Sequence, residues 1–180
     1  MYLTKSIMHS FANRETSRKA ILDYVNSDLT TPKTRIFLSH SHIDAQGFSR
    51  EDLRALIAML VTLSCNVYID WLDPDMPSET SEVTANRIKE KIDACDRFLL
   101  VATNNAVNSR WVPWELGYAD NAKGVNNIVV LPVADPYGQW EGAEYLRLYP
   151  RASISSTKRL AVFPPSSQNG RLIEDWMEYG

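Results

Sequence analysis

Short runs of β-forming apolar residues alternate with amphipathic helical segments along most of this chain, and that alternation most constrains its fold. Arg35–Ser39 (RIFLS), Asn66–Trp71 (NVYIDW), Arg97–Thr103 (RFLLVAT), Ile128–Val133 (IVVLPV) and Arg159–Phe163 (RLAVF) read as strands. Between the first two, Leu53, Leu56, Ile57 and Leu60 recur at helical spacing. Val83–Cys95 and Arg110–Ala122 supply the next helices, and Asn169–Tyr179 a closing helix that buries Ile173, Trp176 and Met177. Asp135–Arg151 carries Pro136, Gly138, Gly142 and Pro150, so it reads as loop with a short helix over Gly142–Leu148. Strand–helix repetition predicts a parallel sheet with helices on both faces, and the uninterrupted FLLVA run fits a strand covered on both sides. The expected architecture is α/β and flavodoxin-like, a five-stranded parallel sheet of order 2-1-3-4-5.

Residues 1–32 read as an N-terminal helical extension and linker. Ala20, Ile21, Tyr24 and Val25 recur at helical spacing after Thr16 or Ser17 as cap, and Asn26–Lys33 is polar with Pro32 as breaker. The domain then occupies 33–180. A hydrophobic content of 44% is enough to build a core, and a net charge of -3 without a basic stripe argues against a nucleic-acid partner. No export signal is apparent. The longest apolar run, Ala55–Leu63, is far shorter than the roughly 20 residues that cross a bilayer, so no membrane association is expected. Cys65 and Cys95 form no CxxC pair and read as reduced core thiols, which suits a cytoplasmic compartment.

Ligands of open parallel sheets bind beyond the carboxyl ends of the strands, where strand order reverses. In the expected order that point lies between the first and third strands. Two segments leave the sheet there, Ser39-His40-Ser41-His42-Ile43-Asp44 and Thr103–Trp111, the latter leading into a helix with Trp111, Trp114, Glu115 and Tyr118. Pro113 is tolerable because it falls in the first turn. Helical spacing places the three aromatics on the side of Glu115, and burial among them is expected to raise a carboxylate's pKa. Read blandly, Glu115 would be a solvated acid held by the helix dipole; its position at the switch point favours chemistry.

RIFLSHSHID, the strand end YIDW and the S-x-W-x-x-x-E spacing of Ser109, Trp111 and Glu115 together resemble a TIR domain of the bacterial, NAD-consuming kind, over about residues 33–165. Val112 stands where that family usually has Cys, and no receptor-type second box is present. The resemblance implies that Glu115 holds the nicotinamide-ribose hydroxyls and stabilises the oxocarbenium-like state. It implies that Trp71, Trp111 and Trp114 stack on nicotinamide or adenine, and that Ser39 and Ser41 with nearby backbone N–H groups hold phosphates. His40, Asp44, Asp70 and Tyr118 complete the candidate substrate contacts. NAD is then substrate, and no cofactor is expected. Leu72–Ser81 corresponds to the family's BB loop, which in such proteins often completes a neighbour's site, so self-association on activation is expected. The single-domain build resembles the TIR subunits of Thoeris-type antiphage defence, whose cyclic or conjugated ADP-ribose messenger acts on an effector protein on a separate chain.

Two other functions fit the same sheet: a nucleoside deoxyribosyltransferase-like enzyme, and a non-catalytic TIR scaffold working by self-assembly. His40-x-His42-x-Asp44 opens a metallohydrolase motif, but Ala45 stands where that motif continues with His, so metal binding is not expected. Asp70, Asp73 and Asp75 lie among Pro74 and Pro77 and read as turn formers.

Overall fold

The computed structural model describes residues 1–12, 34–41, 48–63, 65–70, 73–77, 79, 81–106 and 109–179. In chain order the elements are β1 (Leu3–Thr4), α1 (Lys5–Ala12), β2 (Arg35–Ser39), α2 (Arg50–Val61), β3 (Asn66–Tyr68) and α3 (Glu82–Ala94). They continue with β4 (Arg97–Ala102), α4 (Trp111–Lys123), β5 (Ile128–Ala134), β6 (Arg151–Ile154), β7 (Leu160–Phe163), β8 (Arg171–Leu172) and α5 (Ile173–Tyr179). A 3₁₀ turn covers Glu144–Leu148, within the short helix expected there.

The strands form one sheet of order β3-β2-β4-β5-β6-β7-β8, with β1 paired to β5. The first four positions reproduce the expected 2-1-3-4 arrangement in parallel register. Beyond them the expectation of five parallel strands is corrected. Arg151–Ile154, read as loop or left unassigned, is the strand beside β5, and Leu160–Phe163 turns back antiparallel to it. A tight turn explains the reversal: Ser155 N donates to Arg159 O at 2.8 Å, and Lys158 takes a φ of 60° to close it. RASI is short and carries Arg and Ser, too little apolar signal to read as a strand.

Alternation along each strand feeds two cores. Leu99 and Val101 of β4 join Ile36, Leu38, Leu56, Leu60 and Trp176 on the α1, α2 and α5 side. Phe98, Leu100 and Ala102 join Phe37, Ile88, Ile92 and Leu116 on the α3 and α4 side. The central strands are thus covered on both faces, as their unbroken apolar runs require. Ile173, Trp176 and Met177 are buried as expected. Cys65 and Cys95 are buried free thiols, and burial pushes the Cys95 thiol up to about 11.

The helix expected over Thr16–Val25 lies outside the described residues. A helix precedes it: α1 packs on α2, with Leu3 and Met8 fully buried, while Leu3 pairs with Val133. Asp52 holds this segment in place. It closes a capping box with Ser49 at the start of α2, and its carboxylate meets Lys5 Nζ and His9 Nε2, both at 2.7 Å. Burial alone would raise the Asp52 pKa; the Lys5, His9 and Ser49 hydrogen bonds overcome that and hold it at about 2.

Because that pKa is depressed in the fold, the stabilisation is present above the unfolded value and is lost as the pH falls through the folded one. Asp52→Asn is expected to unfold about 2 kcal/mol more easily at neutral pH. Its deficit relative to wild type should shrink as the pH falls from about 4 toward 2. Denaturant titrations across that range check both statements; a deficit independent of pH would contradict them.

Candidate active site

Buried polar groups are costly unless they are bonded, so their placement is informative. Among the described residues, Ser39, Ser41, Asp70, Thr103, Ser109 and Glu115 are buried at the carboxyl ends of β2, β3 and β4 or at the start of α4. The other buried polar residues are accounted for locally: Asp52 and Thr84 at helix starts, and Ser153 on the Met1 carbonyl. The cluster sits where β3 and β4 flank β2 and the chain order reverses.

Helix α4 delivers the carboxylate. Ser109 Oγ accepts from the backbone N–H groups of Trp111 and Val112, both at 3.3 Å, and so caps the helix start. Pro113 occupies the first turn without loss of a hydrogen bond. One turn later Glu115 points back at the sheet. It is 4% exposed, and Ser39 Oγ donates to its Oε2 at 2.5 Å, a bond between residues 76 apart in sequence. Ser39, expected as a phosphate contact, is therefore the partner of the carboxylate.

Trp111, Trp114 and Tyr118 share α4 with Glu115. At about 100° per residue they fall roughly 40, 100 and 60° to one side of it. They pack on one another: Trp111 meets Trp114 edge-on at 5.2 Å and Trp114 stacks on Tyr118 at 6.3 Å. Trp114 is 36% exposed, with Lys89 of α3 over both its ring and that of Tyr118, and Tyr118 OH donates to Asp93. Trp114 and Tyr118 thus serve the α3–α4 contact, while the half-buried Trp111 stands one turn before Glu115.

His40 and Asp70 lie together just beyond the ends of β2 and β3. His40 Nδ1 is 4.0 Å from Asp70 Oδ1, and both side chains are largely buried. Ser41 is buried next to them. Asp44, His42 and Trp71 lie outside the described residues. Asp73 forms a turn as expected, its carboxylate accepting from Asp75 N at 3.0 Å.

Several contributors carried no readable sequence signal. Tyr68 OH donates to Asp73 Oδ2 at 2.8 Å, and Arg87 and Lys91 of α3 reach the same oxygen at 3.4 and 3.5 Å. Burial would raise the Asp73 pKa, but the Tyr68 hydroxyl and the two cations lower it. This network ties the segment after β3 to α3. On the other side, Trp140 Nε1 donates to Ala102 O at 2.6 Å, at the end of β4. Its ring lies over Gly142, where any side chain would collide with it and where φ is +61°. The arrangement offers a buried, hydroxyl-anchored carboxylate with a second acid and an imidazole on the adjoining strand ends. Such a group accepts hydrogen bonds from a diol and stabilises positive charge developing near it.

Comparison with known proteins agrees with this geometry. Residues 36–159 match the TIR domain family. A protein of Bacillus cereus (strain MSX-D12), named "Probable 3' cyclic ADP-D-ribose synthase ThsB'", is 30% identical over 184 aligned positions, covering 97% of this chain and 92% of its own length. A protein of Cytobacillus dafuensis, named "Putative cyclic ADP-D-ribose synthase TIR2", is 27% identical over 121 positions, 58% of this chain and 31% of its own length.

The Ser39–Glu115 bond is testable without any substrate. A double-mutant cycle of Ser39→Ala and Glu115→Gln, read by denaturant unfolding, is expected to give a coupling of about 1–3 kcal/mol. Additive effects would show that the two side chains do not engage each other in solution.

Proposed function

The chain belongs to the TIR domain family, and from that premise we propose that it cleaves NAD at the nicotinamide–ribose bond with Glu115 as catalytic carboxylate. The observation that carries this reading is a carboxylate buried at the strand-order switch point and held by the Ser39 hydroxyl. A solvated capping acid would need neither feature.

Glu115 accepts hydrogen bonds from the nicotinamide-ribose hydroxyls and favours the positive charge that develops on the sugar as the bond breaks. Nicotinamide leaves with the bonding electron pair and so departs neutral, without needing a proton. Trp111 offers a stacking face one turn away, and Ser41 with nearby backbone N–H groups would hold the phosphates. The acceptor then sets the product: water gives ADP-ribose, and a hydroxyl or ring nitrogen of the same molecule gives a cyclic isomer. The names of both relatives favour the cyclic outcome. The product would be a messenger in antiphage immune signalling, read by an effector on a separate chain, with self-association of this protein on activation. Among the described residues no helix is long and apolar enough to cross a membrane. The family match and the relatives' names do not favour a deoxyribosyltransferase or a purely structural role.

Chromatography with mass detection of NAD reactions tests the proposal. Glu115→Gln keeps the shape and removes the charge, and nicotinamide release is expected to fall about 100- to 1,000-fold. Release at the wild-type rate would refute the assignment.

A further inference from the structure

Cleavage and cyclisation make different demands on protons. In the first half of the reaction nicotinamide departs neutral, so no acid or base is needed. In the second half the acceptor hydroxyl must lose its proton as its oxygen bonds to the ribose carbon. Glu115 is engaged by Ser39 and, on the reading above, by the ribose diol, so the acceptor proton needs another destination.

The His40–Asp70 pair meets that need. His40 follows Ser39 directly, at the point where β2 leaves the sheet. Asp70 lies two residues beyond Tyr68, the last residue of β3, which pairs with Phe37 two residues before Ser39. Both side chains are nearly buried, 10% and 12% exposed, with Nδ1 of the imidazole 4.0 Å from the carboxylate. A carboxylate facing Nδ1 favours the tautomer with hydrogen on that nitrogen, which makes Nε2 the basic one, and it stabilises the imidazolium formed on proton uptake. Imidazole is also the side-chain base whose ordinary titration range matches neutral pH, whereas a solvated carboxylate is too weak a base there.

We propose that His40, positioned by Asp70, is the general base that holds the substrate's acceptor hydroxyl by a hydrogen bond and takes its proton, so that this hydroxyl rather than water reaches the ribose carbon. The proposal rests on the NAD-cleaving reading of the Glu115 site. The balance is complete without any further reactant. The C–N bond to nicotinamide breaks, and its electron pair stays on nicotinamide. A C–O bond forms from a hydroxyl of the same molecule, and that hydroxyl's proton passes to His40 and then to solvent.

The test measures both nicotinamide release and the ratio of cyclic product to ADP-ribose for the full chain, with thermal melting as the control for folding. In His40→Gln the cyclic-to-hydrolysed ratio is expected to fall about 100-fold, the usual worth of a general base. Asp70→Asn should shift the same ratio by a smaller factor, about 10-fold, and it carries the test if His40→Gln does not fold. An unchanged ratio in the folded variants overturns the proposal, as does a parallel loss of release and cyclisation. A wild type that makes only ADP-ribose overturns it too. Absence of nicotinamide release from the wild type would instead refute the NAD-cleaving reading itself.

Discussion

A carboxylate taken out of water must be given donors, and the Ser39–Glu115 hydrogen bond is where this molecule meets that requirement. The bond joins the end of β2 to the second turn of α4, across 76 residues of chain, so the sheet and the helix have to be assembled before the acid is satisfied. Everything else near the site serves that placement. Ser109 caps α4, which fixes the helix start, and Val112 and Leu116 anchor the helix face in the core beneath. The result is an acid held at low solvent exposure with its orientation already set, which is the condition for electrostatic work on a substrate.

The parallel sheet supplies the location. With β3 and β4 on either side of β2, the strand order reverses there, and ligands of open parallel sheets bind beyond the strand ends at such a point. The flanks of that position are tied down separately. Tyr68, Asp73, Arg87 and Lys91 bind the segment after β3 to α3, and Trp140 holds the end of β4 through the Ala102 carbonyl.

Much of this was legible in the sequence, for identifiable reasons. The inner strands and their helices showed through because burial on two faces demands unbroken apolar runs and because the helices repeat at their own period. Glu115 stood out through its spacing from Trp111 and its place after the third expected strand. The missed elements are those with weak local signals. β6 has four residues, one of them Arg, and β1 has two. The reversal at β7 depends on Lys158 adopting a positive φ, which nothing in its neighbours announces. Ser39 was legible as a loop-end polar residue but not as the partner of Glu115, since long-range side-chain pairing leaves no trace in spacing. The aromatics near Glu115 were read from helical proximity alone, and residues 111, 114 and 118 fall on one flank, where α3 claims two of them.

The central claim, that the sugar beside nicotinamide binds over the Ser39–Glu115 pair, is most directly tested by a crystal structure of Glu115→Gln with NAD. The account predicts the nicotinamide-ribose hydroxyls within hydrogen-bonding distance of the residue 115 side chain, above the ends of β2 and β4. Ordered NAD with that ribose elsewhere, and the 115 side chain still enclosed against Ser39 without contact to it, would contradict the account.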